Sequence, residues 1–283
     1  MRRGHMPSPV TENHAAALVA LVRDTARAEI LPRFRSLSAS EIEGKSNASD
    51  LVTVADRAAE NRIAEEVSQL FPSALIVGEE AVAMNPALLD RMTDSEITVI
   101  VDPIDGTWNY ANGLPLFGVM MAIAIDGKTA FGLLYDPMSD GWVMAHAGRG
   151  AFRHSAAGRT VRISSAARGD PTTGFVPLFL YPKETQRWLA PRLVAFDRIM
   201  SFRCSCHEYW LLAEGAVDFM ISGLLKPWDH AAGELISREA SLHAAMLDDG
   251  APYSIFRSEG ELLVARTKQS WEVLRDTFLE DNP

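Results

Sequence analysis

Two segments near the start of the chain carry apolar residues at helical spacing. Residues 15–30 place aliphatic side chains on one face with small alanines between them, and Pro32 ends the pattern. A second segment runs from about Thr53 to Pro72 and alternates apolar residues with charged ones such as Glu60, which we expect to face outward. The spacing predicts two amphipathic helices.

Short β-branched runs follow these helices. Residues 74–77 and residues 97–101 each predict a buried strand. Glu79 follows the first run and Asp102 follows the second, and Pro103 is expected to end strand pairing because proline has no amide hydrogen. Two strands are therefore predicted to carry carboxylates at their carboxyl ends.

The middle and the end of the chain have different patterns. Three strands separated by tight turns predict an antiparallel meander over residues 117–125, 129–135 and 142–145. After Gly174, short strands alternate with helices, at residues 208–214, 217–221, 229–240, 262–265 and 270–279. The centre is therefore expected to be sheet, and the second half to be of the α/β type.

Composition limits the classes of partner. Hydrophobic residues make up 47% and charged residues 23% of the 283 residues, so the chain can bury a core without disulfides or structural metals. Acidic residues (37) outnumber basic ones (27), which gives a formal charge of −10. We therefore expect neither nucleic acid nor an anionic membrane as a partner. An anionic substrate would need a local site of positive charge.

The cysteines and the N-terminus indicate the compartment. Cys204 and Cys206 are one residue apart, too close for an ordinary disulfide, which favours a reducing environment. The first residues lack the apolar run of a signal peptide, and the uncharged residues 106–125 contain turn residues that exclude a membrane span. We expect a cytoplasmic protein.

Residues 102–107, Asp-Pro-Ile-Asp-Gly-Thr, are the most informative segment. Asp102 and Asp105 flank a turn restricted by proline, so both carboxylates can point into one pocket, and Gly106 lets the backbone approach a ligand. Such a loop suits a hard divalent cation such as Mg²⁺, which prefers oxygen ligands. Taken alone, the same pattern also fits a surface turn with two solvated acids.

Three motifs in this order resemble those of the inositol monophosphatase family. They are Gly-Glu-Glu at residues 78–80, residues 102–107, and Trp-Asp-His-Ala-Ala-Gly at residues 228–233. Lys45, followed by the Asp-Leu-Val-Thr run that starts at Asp50, resembles the family's N-terminal active-site segment, so the similarity extends from about Lys45 to the C-terminus. It implies a magnesium-dependent, lithium-sensitive phosphomonoesterase, commonly a homodimer.

The resemblance also implies the fold class. This is an α/β, or layered α+β, sandwich in which helix and sheet layers alternate. We expect an N-terminal α+β part, residues 1–170, with the metal-binding loop and the meander, and a C-terminal α/β part, residues 171–283. The two parts are expected to pack closely, with the active site between them.

The metal ligands follow from the same resemblance. Glu79, Asp102 and the Ile104 carbonyl would hold one Mg²⁺, and Asp102, Asp105 and Asp229 would hold a second, with two or three ions per site. Four acids in one pocket repel one another and would take up protons unless cations filled the site. Two cations could activate a water and stabilise the leaving oxygen of a phosphate ester.

Further residues receive roles on the same basis. Thr107, paired with Asp50, would orient the attacking water, and these two with Glu79 form the predicted catalytic set. The backbone amides of Gly106 and Thr107 would face the phosphate. Lys45 is either a surface lysine or a residue that balances charge near the metals and phosphate.

Simpler interpretations compete at several positions. Asp229 could be only the N-cap of a helix, and Glu80 is expected to be a solvated acid because it should face away from Glu79 on an extended backbone. The residues Cys204, Cys206 and His207 invite a zinc site, but they lack a second ligand pair with tetrahedral spacing. Buried free thiols are the preferred interpretation.

The alcohol side of the pocket departs from the family pattern. Relatives that cleave inositol phosphates usually have a run of small residues where this chain has Arg203-Cys-Ser-Cys, and often a glutamate near the position of Ser222. Arg203 could contact a second anionic group of the substrate, or it could pair with Glu208 or Glu214. Ser222 offers a short neutral contact.

The predicted function is hydrolysis of a small phosphorylated alcohol that resembles an inositol phosphate. Histidinol phosphate, a sugar phosphate or a nucleotide 3′-phosphate stay open as substrates of the same chemistry. The alternative of another class is a non-catalytic regulatory or binding protein on the same fold, since a fold alone does not determine function.

Overall fold

A computed structural model describes residues 10–45, 51–165 and 170–279. The α-helices in these ranges are α1 Glu12–Thr25, α2 Val54–Leu70, α3 Glu79–Met84, α4 Thr107–Ala111, α5 Lys183–Leu189, α6 Ser205–Ala213, α7 Pro227–Glu239 and α8 Lys268–Leu279. The strands are β1 Ile42–Gly44, β2 Leu51–Thr53, β3 Leu75–Gly78, β4 Ile97–Asp105, β5 Gly118–Ile125, β6 Lys128–Asp136, β7 Gly141–His146, β8 Gly150–His154, β9 Thr160–Ile163, β10 Thr173–Phe175, β11 Arg198–Met200, β12 Phe219–Ser222, β13 His243–Met246 and β14 Leu262–Ala265. None of the described helices combines the length and the apolar character that a membrane span requires.

The two predicted N-terminal helices are confirmed. The first is α1, which continues into a π-helical turn at Ala26–Ile30. The second, α2, begins at a capping box, in which the Thr53 and Asp56 side chains satisfy each other's free backbone amides. One detail of the prediction is wrong: Glu60 on α2 does not face solvent but is buried, only 6% exposed.

The larger sheet has the strand order β3-β4-β5-β6-β7-β8-β9. Strands β3 and β4 are parallel, and from β4 onward each strand pairs antiparallel with its neighbour, which confirms the meander and extends it by β8 and β9. The expectation that Pro103 ends β4 is wrong. The strand continues to Asp105, which pairs with Gly118, and the register shifts between Asp102 and Asp105. Proline therefore interrupts the ladder and allows an irregular segment within the strand.

The smaller sheet has the order β11-β10-β12-β14-β13. Strand β10 is parallel to both of its neighbours, whereas β14 is antiparallel to β12 and β13. Its strands come from the C-terminal part of the chain, and all strands of the larger sheet lie before residue 170. Each sheet is therefore built from strands on one side of residue 170 in the sequence.

Helices and sheets alternate in layers. The helices α1 and α2 bury their apolar faces against one side of the larger sheet. The helices α6 and α7 lie between the two sheets, where Leu235 of α7 shares one core with Leu134 of β6 and Val264 of β14. On the outer side of the smaller sheet, α5 and α8 pack against Phe219 and Leu263. The predicted class, a layered α/β fold, is confirmed.

Candidate functional site

Three aspartates converge where the end of β4 meets the first turn of α7. Carboxylate oxygens of Asp102, Asp105 and Asp229 all lie within 4.8 Å of one another. The first two come from the irregular end of β4, and the third comes from the first turn of α7. The structure therefore brings together three of the predicted ligands from segments far apart in sequence.

Local hydrogen bonds set the direction of the β4 carboxylates. The Ile104 amide donates to Asp102 Oδ1 at 3.0 Å, which folds the side chain back over the proline turn. Oδ2 of Asp105 accepts from the Cys206 amide and from the Cys204 thiol, whose sulfur lies 3.1 Å away. Residues that precede and begin α6 thus position a carboxylate of β4.

Asp229 does not act as a helix cap. The N-cap of α7 is Lys226, and Pro227 is the first helical residue, so Asp229 lies within the first turn. The alternative of a purely structural N-cap is therefore wrong. A carboxylate in a first helical turn still gains from the helix dipole.

The electrostatics of the cluster favour a bound cation. Burial raises the pKa of Asp102, Asp105 and Asp229, and the neighbouring carboxylates raise the pKa of Asp102 and Asp229 further, including the carboxylate of Glu79. Buried carboxylates that repel one another bind protons unless a positive charge offsets them. An all-oxygen donor set of this kind fits Mg²⁺ or a similar hard cation.

Glu79 lies beside the three aspartates, at the first position of α3. Lys45 Nζ donates to Glu79 Oε1 at 2.9 Å and also to Glu80 Oε1. Lys45 is therefore not a surface lysine, because its side chain is only 16% exposed. The expectation for Glu80 is also wrong: its side chain is buried, because the chain turns into a helix at Glu79 and does not stay extended.

Glu60 fixes the start of α3. The sequence pattern did not identify this role. Its two carboxylate oxygens accept from the amides of Glu80 and Ala81 at 2.8 and 2.7 Å. These are amides of a first helical turn, which have no partner within the helix. Gly78 leaves room for this contact, since a Cβ there would lie 2.2 Å from Glu60 Cδ. The amphipathic pattern of α2 gave no signal for the contact, but a glycine directly before a candidate ligand did.

Thr107 contacts a carboxylate that the sequence did not single out. Its hydroxyl lies 3.1 Å from Asp56 Oδ1 and 3.0 Å from the Ile104 carbonyl oxygen. Asp56 also accepts from the Thr53 amide and hydroxyl, and burial raises its pKa to about 7. The predicted partner, Asp50, lies outside the described residues.

A sequence signal for Asp56 was available. Thr-x-x-Asp directly before an apolar helical run is close to a capping-box pattern, which fixes the first turn of a helix. The carboxylate that completes this box also reaches Thr107.

Gly106 has the backbone conformation that only glycine adopts easily. Its φ is +87°, and a Cβ would lie 3.1 Å from the Leu116 carbonyl oxygen and 3.2 Å from Cys204 Cβ. The glycine therefore allows the turn after β4 to approach the segment before α6. This approach brings Thr107 and Cys204 to the same cavity.

A cavity of about 200 Å³ opens beside the aspartates. Glu79, Arg203 and Ser222 are among its lining residues. The Arg203 guanidinium carbon lies 4.3 Å from the centre of the Trp108 ring. One partner considered for Arg203, Glu214, forms an ion pair of 2.8 Å with Arg153.

The cysteines do not form a zinc site. The Cys204 thiol contacts Asp105, the Cys206 sulfur lies 3.8 Å from the Tyr135 carbonyl oxygen, and His207 Nε2 lies 3.1 Å from the Phe117 carbonyl oxygen. Burial raises the pKa of both thiols and disfavours the thiolate that zinc requires. The interpretation as buried free thiols is confirmed.

The sequence is similar to that of known proteins. The sequence profile of the inositol monophosphatase family matches residues 11–264. Nus factor SuhB from Vibrio cholerae is 31% identical over 219 residues, which cover 76% of this chain and 78% of that protein. Fructose-1,6-bisphosphatase/inositol-1-monophosphatase from Thermotoga maritima is 30% identical over 199 residues, covering 70% and 72%.

Solved structures show the same fold. The extragenic suppressor protein suhB from Bartonella henselae matches with a TM-score of 0.78 at 25% identity, covering 95% of this chain and 99% of that chain. The Thermotoga maritima IMPase matches with a TM-score of 0.77 at 22% identity, covering 95% and 97%. At 22% identity the likeness concerns the fold alone.

Proposed function

This chain belongs to the inositol monophosphatase family, and we propose that it is a Mg²⁺-dependent phosphomonoesterase that hydrolyses a small phosphorylated alcohol with water as the nucleophile. The observation that carries the proposal is the convergence of Asp102, Asp105 and Asp229 within 4.8 Å beside a cavity. The resemblance in the metal motifs supports it.

The metal ligands in this proposal are chain residues with oxygen donors. One Mg²⁺ would be held by Glu79, Asp102 and the Ile104 carbonyl. A second would be held by Asp102, Asp105 and Asp229. The proposal is for two or three ions per site. Bound there, the ions would supply a nucleophilic water and positive charge at the phosphate and the leaving oxygen. They would also offset the repulsion that raises the aspartate pKa values.

Thr107 and Asp56 support the nucleophile. The Thr107 hydroxyl donates to Asp56, which fixes its direction. Its oxygen can therefore accept a hydrogen bond from a water in the cavity and orient that water. Asp56 has a pKa of about 7 and can therefore hold a proton near neutral pH. Asp50, outside the described residues, stays a candidate for the same set.

The remaining contacts concern the substrate. The backbone amides of Gly106 and Thr107 are proposed to donate to phosphate oxygens, and Lys45 to balance the charge of Glu79 on that side. Arg203 and Ser222 line the same cavity and are proposed to contact the alcohol. Inositol phosphates, sugar phosphates, histidinol phosphate and nucleotide 3′-phosphates all fit this general chemistry.

Phosphate release tests the function directly. The full chain is assayed against a panel of phosphomonoesters with Mg²⁺, with excess EDTA, and with EDTA followed by Mg²⁺. We expect turnover only with Mg²⁺, and inhibition by lithium at concentrations where sodium has no effect. Undiminished turnover in EDTA would contradict the metal mechanism, and equal responses to lithium and sodium would contradict the lithium sensitivity.

A second candidate is a regulatory or binding protein without catalytic activity. The similarity to proteins named Nus factor SuhB favours it. The Thr107–Asp56 contact argues for the enzyme, because a binding protein has no need to orient a water. An absence of phosphate release from every ester, in a folded protein with Mg²⁺, would support the second candidate.

Assembly and compartment are part of the same proposal. We propose a cytoplasmic homodimer, as the family resemblance and the composition indicate. Light scattering of the purified chain checks the first point, because a dimer has twice the monomer mass of 31.0 kDa.

A further inference from the structure

The cavity beside the aspartates has an apolar wall. It is lined by Trp108, Pro177, Phe179, Leu180 and Leu224, besides the carboxylates. Phe179, Leu180 and Leu224 are 47%, 42% and 43% exposed, although their side chains are large and apolar. A group of exposed apolar residues around a cavity is typical of a surface that binds an apolar part of a ligand.

A cation lies on this wall. The Arg203 guanidinium carbon is 4.3 Å from the centre of the Trp108 ring and 4.9 Å from that of Phe179. Both distances are within the range of cation–π contacts, which fix the plane of a guanidinium. Held in this way, Arg203 offers a preorganised set of N–H donors that matches a carboxylate or a phosphate.

The backbone at Arg203 is strained. Its φ is +55°, in the left-handed region that favours glycine. Such backbone strain persists mainly where the surrounding structure or a function requires it. The next residue, Cys204, donates to Asp105, so the strained position is directly joined to the aspartate cluster.

The neutral polar groups of the cavity are few and short. Ser201, Ser205 and Ser222 line it, and Ser222 is only 5% exposed. Other polar lining groups are Thr107 and the carboxylates, which belong to the metal side of the cavity or, as with Glu208, are buried. The side of the cavity away from the aspartates therefore combines short hydroxyl groups with the apolar wall and Arg203.

We propose that the alcohol part of the substrate carries a flat apolar group, which packs against the exposed side chains of Phe179, Leu180 and Leu224, and an anionic group, which pairs with Arg203. This inference rests on the proposed phosphomonoesterase function and narrows its substrate class. Arg203 is then a residue that determines specificity, with no part in the attack on phosphorus.

Three phosphate esters of alkyl alcohols test the proposal. They are benzyl phosphate, 4-carboxybenzyl phosphate and inositol 1-phosphate, chosen because none of them has a phenolic leaving group. We expect the wild type with Mg²⁺ to have the highest kcat/KM for 4-carboxybenzyl phosphate, then benzyl phosphate, then inositol 1-phosphate. The carboxylate preference should be about tenfold or more, as expected for hydrogen bonds to charged groups.

Two variants separate the charge from the apolar wall. Arg203→Gln keeps a long planar side chain but removes the charge, and it should abolish the preference for the carboxylated ester over benzyl phosphate. Phe179→Ala should lower kcat/KM for both benzyl esters relative to inositol 1-phosphate. Arg192→Gln is the matched control, because Arg192 also lies 4.3 Å from a tryptophan ring centre, that of Trp188, but does not line the cavity.

The outcomes distinguish this inference from the function on which it rests. No release of phosphate from any ester would contradict the phosphomonoesterase itself. Release with inositol 1-phosphate as the best of the three would overturn the inference and leave the function standing. An unchanged carboxylate preference in Arg203→Gln would also overturn it.

Discussion

The Thr107 hydroxyl donates to Asp56 Oδ1 across 3.1 Å and so joins the turn after β4 to the first turn of α2. The two residues are 51 positions apart in the chain, and Asp56 is fully buried. Because Asp56 is held in turn by the Thr53 amide and hydroxyl, the Thr107 side chain has a fixed direction at the edge of the cavity. We therefore expect loss of this contact to lower kcat and to leave KM nearly unchanged.

Thr107 and Asp56 are expected to act as a unit. Thr107→Ala should lower kcat by the equivalent of about 2–4 kcal/mol with little change in KM, as for other preorganised groups that act in the transition state. Asp56→Asn should have a similar effect, and the double variant should be no worse than the poorer single one. Steady-state kinetics with saturating Mg²⁺ measures all three.

The control for this pair is Thr107→Ser, which keeps the hydroxyl and should retain most of the activity. A large rise in KM with an unchanged kcat would instead assign Thr107 to substrate binding. Additive losses in the double variant would show that the two residues act separately.

Asp102→Asn should have opposite effects on stability and on activity. In EDTA the variant should have a higher Tm than the wild type, because it removes a charge that burial and the neighbouring carboxylates both disfavour, and it keeps the acceptor for the Ile104 amide. A gain of about 1 kcal/mol corresponds to roughly 2–4 °C in a chain of this size. Turnover should be lost, and Mg²⁺ should no longer raise Tm as it does for the wild type.

Thermal unfolding with and without Mg²⁺ measures both the expected rise in Tm in EDTA and the expected loss of stabilisation by Mg²⁺. The matched control is Asp276→Asn, since Asp276 is exposed on α8. A metal-free Asp102→Asn variant with a lower Tm than the wild type would contradict the expectation that the buried charge of Asp102 destabilises the metal-free protein.

Gly78→Ala and Glu60→Ala should displace the Glu79 side chain, although neither substitution changes Glu79 itself. The first variant places a Cβ against the Glu60 carboxylate, and the second leaves the amides at the start of α3 without their acceptor. Each should destabilise the fold by about 1–3 kcal/mol, the range for an unsatisfied buried polar group. Each should also raise the Mg²⁺ concentration needed for half-maximal activity.

The exposed Glu65 on the same helix provides the control, Glu65→Ala, which should leave both measurements unchanged. If Glu60→Ala lowered Tm but left the Mg²⁺ dependence as in the wild type, Glu60 would stabilise α3 without positioning Glu79.

Glu208 should make the metal-free protein less stable as the pH rises. Burial raises its pKa to about 8, above the value near 4.3 of an unfolded chain. The folded state therefore holds the proton more tightly, and this contribution to stability is fully present below about pH 4 and is lost as the pH rises through about 8. Glu208→Gln has no such proton to lose, so its Tm in EDTA should fall less between about pH 5 and 8.

An exposed glutamate, Glu66, supplies the comparison: Glu66→Gln should follow the wild type across the same pH range. Parallel Tm profiles for the wild type and Glu208→Gln would contradict a raised pKa at Glu208.

The sequence predicts most of the elements because they rest on local patterns. The apolar spacing of α2 and the alternation of strands and turns in β5–β7 depend on neighbours within a few residues. The motif at residues 102–107 likewise combines two ligands in one short segment. These features could be identified before any contact between distant segments was known.

Two of the errors, those for Glu60 and Glu80, concern how distant segments of the chain meet. Glu60 is one of the charged residues of α2 that the pattern places on the outer face. The position is buried because α3 packs against it. Glu80 was expected on an extended backbone, but the chain turns into a helix at Glu79. A local pattern cannot show either contact, because each depends on how β3 and α2 meet.

The way the aspartate cluster is assembled has a consequence for the order of folding. The sheet from β4 to β9 forms by pairing of successive strands, which needs only short loops to close. The cluster, by contrast, requires contacts such as that of Cys206 with Asp105, 101 residues away. Such distant contacts are expected to form after the transition state for folding. A bound cation should therefore slow the unfolding arm of the chevron and leave the refolding arm nearly unchanged.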